Sequence, residues 1–241
     1  MRLSKYARRW LFAVCAAGTA CALLLVLTYY GVLRPTRLIA KNYAVHGIDV
    51  SSYQGDIDWE MLAAQDIDFA FIKATEGSSL IDRYFADNFE EARAAGLRVG
   101  AYHFFSFDSP GETQAMHFIA TVPKLEGMLP PVIDVEYYGN YFAEPPSADT
   151  VVPQLQTLID QLTAHYDTTP ILYATSRAYN RYLAGNYPDC DIWIRDVYTP
   201  ANLPDGRDWV FWQYDDHAVL DGYSGDERYI DKNVFHGTQE E

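Results

Sequence analysis

Hydrophobic positions along this 241-residue chain follow two different rules. From Trp10 to Leu33 they form one run, "WLFAVCAAGTACALLLVLTYYGVL", with no charged residue in it. From about Tyr43 onward they fall into short runs rich in Val, Ile, Tyr and Phe: "YAVHGIDV", "DFAFIKAT", "RVGAYHFF", "PVIDVEYY", "PILYAT", "DIWIRDV", "WVFWQYD" and "YIDKNVF". Their length and composition are those of β-strands, which makes eight candidate strands.

Between the early strands the spacing predicts helices around Asp58 to Gln65, Arg83 to Ala95, Gly111 to Thr121, Thr150 to Tyr166 and Ser176 to Ala184, with Gly96 placed to stop the second. After the sixth strand the connections "YTPANLPDGRD" and "DHAVLDGYSGDER" are rich in turn formers and carry no helical period. Alternation of strand and helix argues for parallel strands with right-handed crossovers, and eight strands can close a barrel. The last strands, lacking helices, would complete it irregularly. An open doubly wound sheet is the rival, but "GIDVSSYQG" stands where a glycine-rich phosphate loop would follow the first strand. Residues 43–241 therefore read as one α/β domain, a TIM-like barrel.

The N-terminal run of 24 residues reaches ~36 Å as a helix, enough to cross a bilayer. We read residues 1–9 as a short basic cytoplasmic N-terminus, 10–33 as a transmembrane signal anchor and 34–42, "RPTRLIAKN", as a linker. A cleaved signal peptide is the competing reading, because Ala20-Cys21-Ala22 resembles a cleavage site, although it lies inside the run rather than after it. Four bases precede the segment and three follow it, so charge alone does not orient it.

Charge sharpens the division. Residues 1–41 hold seven bases and no acid, which leaves 11 bases (18 less 7) against 33 acids in residues 42–241, a net −22. Such a surface repels nucleic acid, so no nucleic-acid partner is expected. Cys15 and Cys21 lie in the apolar run and leave Cys190, read as a small apolar residue, without a disulfide partner. No Cys/His spacing, HExxH or GxSxG is present, so neither a metal, a cofactor nor a serine nucleophile is expected. His103, the one histidine inside a strand, is open between a structural and a catalytic role.

In barrels the chemistry gathers at the C-terminal strand ends. Asp49 lies near the end of the first strand, Glu76 just past the second, Asp134 and Glu136 on the fourth, and Asp231 on the eighth. Alternation puts Val132, Asp134 and Glu136 on one side and the apolar Ile133 and Val135 on the other, under the helices. The two acids then face the interior, with no Arg or Lys obvious beside them, and burying ionised carboxylates costs several kcal/mol unless they are compensated. Crowded carboxylates push one another's pKa apart, the division that glycosidic cleavage uses. Tyr102, Tyr137, Tyr138, Tyr173, Trp193, Trp212 and Tyr214, near strand ends, are candidate faces for sugar rings.

These residues resemble the glycoside hydrolase family 25 lysozymes, or N-acetylmuramidases. The resemblance spans residues 46–236 and rests on "GIDVSSYQGDIDW", "FAFIKATEG", "DRYFADNFEEARAAGLRVGAYHFF", "QAMHFI", "PVIDVE", "ILYAT", "FWQY" and "YIDKNVF", in that order. It implies an irregular (β/α)5(β)3 barrel and cleavage of the β-1,4 bond between N-acetylmuramic acid and N-acetylglucosamine in peptidoglycan. It further implies Glu136 as general acid, Asp134 steering the substrate's own 2-acetamido group with retention, and Asp49 and Asp231 as the remaining acids of the site. Glu76, Tyr102, Tyr173, Trp193, Gln213 and Tyr214 match positions lining the groove. Arg195 and Asp196 stand where the family pattern has a small residue, and Lys232 where it has an apolar one, pointing away from the mouth.

The expected molecule is a monomeric, single-pass membrane muramidase with its catalytic domain outside, where its polymer lies. The rivals are a glycan-binding barrel without turnover and a chitinase-like barrel, whose longer acid series "PPVIDVE" lacks.

Overall fold

The computed structural model describes residues 4–238; residues 1–3 of the basic N-terminus and 239–241 of the domain lie outside the described residues. All eight expected strands form: β1 (Val45–Val50), β2 (Phe69–Glu76), β4 (Arg98–Phe104), β5 (Val132–Val135), β6 (Ile171–Thr175), β7 (Ile192–Arg195), β8 (Phe211–Ala218) and β9 (Ile230–Phe235). A further short strand, β3 (Leu80–Ile81), makes a hairpin with the end of β2. The segment before the barrel holds α1 (Lys5–Tyr29) and α2 (Thr36–Ala40), and the crossover helices are α3 (Trp59–Ala63), α4 (Phe85–Ala94), α5 (Gly111–Thr121), α6 (Ala148–Tyr166) and α7 (Ser176–Ala178), the last continued by a π-helical turn over Tyr179–Leu183. Gly96, at φ +87°, ends α4 in the left-handed conformation that glycine adopts without strain.

β1 pairs with β2 in parallel and with β9 antiparallel, so the sheet closes into an eight-stranded barrel. Strands β1 to β8 of the barrel run parallel, while β9 is antiparallel to both of its neighbours. The irregular closure expected from the helix-free end of the chain thus has a direct cause: a short loop from β8 to β9 permits only a reversal, since a parallel return needs a crossover.

Alternation divides the core into two layers. Val45, Phe69, Phe71, Val132, Trp193 and Phe211 plug the barrel interior, whereas Ile48, Ile72, Ile133, Val135, Leu172 and Trp212 pack outward under the helices. The plug is aromatic, with Phe71 4.7 Å from Trp193 and Phe69 5.1 Å from Phe211 between ring centroids. It forms a floor, so the open mouth at the upper rim is the place left for ligand.

Residues 34–42, expected to be a linker, are folded onto the barrel. Arg34, Thr36 and Ala40 are buried, and α2 lies against β8. α1 is different: its apolar side chains are exposed, Trp10 at 73% and Leu25 at 72%. With 25 residues and a mean hydropathy of 2.4 over its most apolar window, it is long and apolar enough to cross a membrane.

Candidate active site

The parallel strands end at one rim, and β9 begins there, so Asp231 reaches the mouth from the N-terminal end of its strand. Asp49 and Asp231 are direct cross-strand partners. They line a cavity of about 500 Å³ together with Asp134 and Glu136, which β5 delivers from its last turn of alternation. Tyr102, Tyr173 and Trp193 line it too, the last two as its nearly buried floor. The size lies in the range of small-molecule sites.

Other sequence expectations fall outside that lining. Gln213 lies beneath the acids as a hydrogen-bond partner, and Glu76 pairs with Lys73 at 2.7 Å beside the cavity. Tyr214 is on the outer face of β8, 5.8 Å from the Trp212 ring. The correction follows from the pleat, because Gln213 and Tyr214 are adjacent and cannot both point inward. Among the other aromatics, Tyr137, Tyr138 and Trp212 do not line the cavity either. His103 is structural: buried on the outer face, it takes Thr75 Oγ1 at 2.7 Å and donates from Nε2 to Gln114 Oε1 at 3.0 Å. Burial lowers its pKa to about 4, so it stays neutral.

A polar chain holds the floor in one arrangement. Trp193 Nε1 donates to Asn233 Oδ1 (2.8 Å), and Asn233 Nδ2 donates to Asp49 Oδ2 (2.7 Å). On the other side Tyr173 Oη donates to Gln213 Oε1 (3.0 Å), whose Nε2 donates to the same Asp49 oxygen (2.8 Å). Tryptophan can only donate and an ionised carboxylate only accept, so the orientation of the Asn233 amide is fixed by chemistry. Asn233 was not foreseen, although it lies two residues after Asp231 and so shares its face.

Bases also reach the mouth, although none is obvious beside the two acids in the sequence. Lys73 lines the cavity from β2, and Arg195, at the end of β7, donates to Asp216 at 2.6 Å. Both charges act on Glu136: burial raises its pKa, Arg195 opposes the rise, Asp49 adds to it and Lys73 lowers it. Asp134 is held well above the carboxylate range, by burial first and then by the charge of Glu136. One of its oxygens, Oδ1, is buried and accepts no hydrogen bond from the protein. Asp231 is likewise raised, by burial and then by Asp49, whereas Asp49, raised by burial, is partly relieved by its amide donors.

Two carboxyl groups from one strand and two more across the closing seam, above an aromatic floor, form the kind of acid cluster that glycosidic cleavage uses. The family model described as Glycosyl hydrolases family 25 matches residues 48–223. The chain belongs to that family and is a glycoside hydrolase. A family 25 glycosyl hydrolase from Bacillus anthracis superposes with a TM-score of 0.79 at 54% identity, covering 83% of this chain and 92% of that one. Lysozyme M1 of Streptomyces globisporus is 32% identical over 83% of this chain and 70% of its own length. The uncharacterized protein YegX of Escherichia coli strain K12 is 37% identical over 93% of this chain and 82% of its own.

Proposed function

We propose that this protein is a lysozyme-type peptidoglycan hydrolase, a 1,4-β-N-acetylmuramidase, tethered to the cell membrane by α1. The observation that carries the reading is the Asp134–Glu136 pair at the mouth, with two raised carboxyl groups and an Asp134 oxygen that no protein group satisfies. Glu136, whose proton burial helps to retain, donates it to the glycosidic oxygen between N-acetylmuramic acid and N-acetylglucosamine. With the proton of the pair on Glu136, the Glu136 charge that opposes ionisation of Asp134 is removed and Asp134 is the ionised partner: it accepts the N–H of the substrate's 2-acetamido group through that unmet Oδ1 and stabilises the positive charge that develops as the acetamido oxygen attacks the anomeric carbon. Water, activated by the now ionised Glu136, then opens the cyclic intermediate from the side of the departed sugar, with retention.

Asp49 and Asp231 keep the field of the site negative and hold substrate hydroxyls, while Gln213 fixes Asp49 from below. Tyr102, Tyr173 and Trp193 give the sugar an apolar wall, and Glu76 acts through Lys73. Tyr214, facing outward, has no direct part. A domain of net −22 is repelled by an anionic wall polymer, so localisation falls to the anchor, with residues 1–9 in the cytoplasm, 10–33 in the membrane and the barrel outside. Cleavage at the small residues within α1 would release it as a secreted enzyme instead.

The test uses the full chain in detergent micelles. Glu136→Gln is expected to lower kcat on purified peptidoglycan by about 10²- to 10⁴-fold, the usual worth of a positioned general acid. Proton NMR of the first-formed product reads the stereochemistry; an inverted anomer would refute the neighbouring-group route, and an unimpaired Glu136→Gln the role of Glu136.

A further inference from the structure

The segment between membrane helix and barrel touches the site. Arg34 is buried, its Nη1 donating to the Thr28 carbonyl in the last turn of α1 (2.7 Å) and its Nη2 to Asp216 Oδ1 (2.7 Å). The other oxygen of that carboxylate, Oδ2, takes Arg195 Nη2 at 2.6 Å. Asp216 and His217 line the cavity that holds Glu136. Gly31 is what lets the segment come so close: its φ is +71°, and a Cβ there would lie 2.6 Å from the His217 ring. Arg37 fixes the adjacent Asp215, Nε to Oδ2 at 2.5 Å.

The two oxygens of Asp216 are therefore divided between a guanidinium from the segment and one from the mouth. We propose that Arg34 is a positioning residue of the active site: by occupying Oδ1 of Asp216 it limits Arg195 to Oδ2 and so sets how much of the Arg195 charge reaches Glu136. The inference rests on the reading of Glu136 as the general acid.

Its consequences have opposite signs for the two partners. Without Arg34, Asp216 keeps His217 on Oδ1 but loses a guanidinium and draws more strongly on Arg195, the positive field at Glu136 weakens, and Glu136 holds its proton more tightly. Without the Asp216 charge, Arg195 is released toward Glu136, which then holds its proton less tightly. The other groups facing Glu136 are Asp134, Asp49, Asp231, Lys73 and Tyr173; of these Asp231 also feels the Asp216 charge, so Asp216→Asn eases its ionisation as well. His217, whose Nδ1 lies 2.7 Å from Asp216 Oδ1 and 3.1 Å from Arg34 Nη2, contacts both partners, so each variant is also made in a His217→Gln background.

The experiment is kcat against pH for the full chain in detergent micelles, as wild type, Arg34→Gln, Arg34→Lys and Asp216→Asn. The alkaline limb reports the proton on Glu136. It is expected to move up by about 0.5–1 pH unit in Arg34→Gln and down by a similar amount in Asp216→Asn, as removal of one charge at such range in a partly screened site requires. Arg34→Lys, which keeps the charge, should return at least half of the Arg34→Gln shift. A purely structural role would lower kcat in both variants without moving the limb in opposite directions, and that result overturns the proposal. If Arg34→Gln does not fold, the Asp216→Asn limb decides alone, and an unmoved or raised limb there overturns it. A Glu136→Gln enzyme as active as wild type would instead sink the underlying reading, whereas an inactive one with unmoved limbs sinks only the positioning role.

Discussion

At the scale of single residues the site is an arrangement of acids kept from ionising together. Asp231 shows the cost: burial and the Asp49 charge opposite hold its pKa well above the carboxylate range. A carboxyl with a raised folded-state pKa binds more protons folded than unfolded, so its contribution to stability is complete below the unfolded pKa and is lost as pH rises through the folded one. Asp231→Asn should therefore raise Tm by a few degrees at roughly pH 8 and leave it unchanged at roughly pH 3, where both states are protonated. Calorimetric scans at both values check this, and an equal gain at the two would contradict it. Strand alternation made Asp134 and Glu136 legible in the sequence, because period two is a local property. Lys73 and Arg195 were not legible as their neighbours, since only barrel closure brings bases from β2 and β7 beside acids on β5. The placing of Tyr214 in the groove was an error that alternation itself could have prevented.

Among the elements, α2 departs furthest from expectation. Five residues are too few for a helix that is stable alone, so no periodic signal marked it, and only docking on β8 makes it form. It brings Arg34 and Arg37 to Asp216 and to Asp215, whose side chain is 2% exposed. A fragment of residues 43–241 would lose both the Arg37–Asp215 ion pair and the packing of α2 on β8, together worth about 3–5 kcal/mol. Chemical denaturation should accordingly find that fragment less stable than one of residues 31–241 by about that amount; equal stability would mean that the docked segment is dispensable. The eight barrel strands were readable because each is a short β-rich run between turns. The direction of β9 was not, because pairing sense depends on the length and path of the loop before it rather than on the strand's own residues.

Taken whole, the molecule is a negatively charged barrel whose acidic mouth adjoins the end of an apolar helix. Arg34 joins the two directly, through Thr28 on one side and Asp216 on the other. With α1 in a bilayer, the mouth would open close to the membrane surface, onto the glycan nearest it. In the sequence these parts read as separate pieces, an apolar segment, a linker and a domain, because hydropathy marks an apolar run but carries no information about how its exit packs. The central claim is that this mouth cleaves the muramyl side of the glycan strand. Its most direct test is mass spectrometry of the fragments released from purified peptidoglycan by the full chain in detergent micelles, after borohydride reduction. Products ending in reduced N-acetylmuramic acid are the predicted result; products ending in reduced N-acetylglucosamine, in anhydromuramic acid, or no products at all would contradict it.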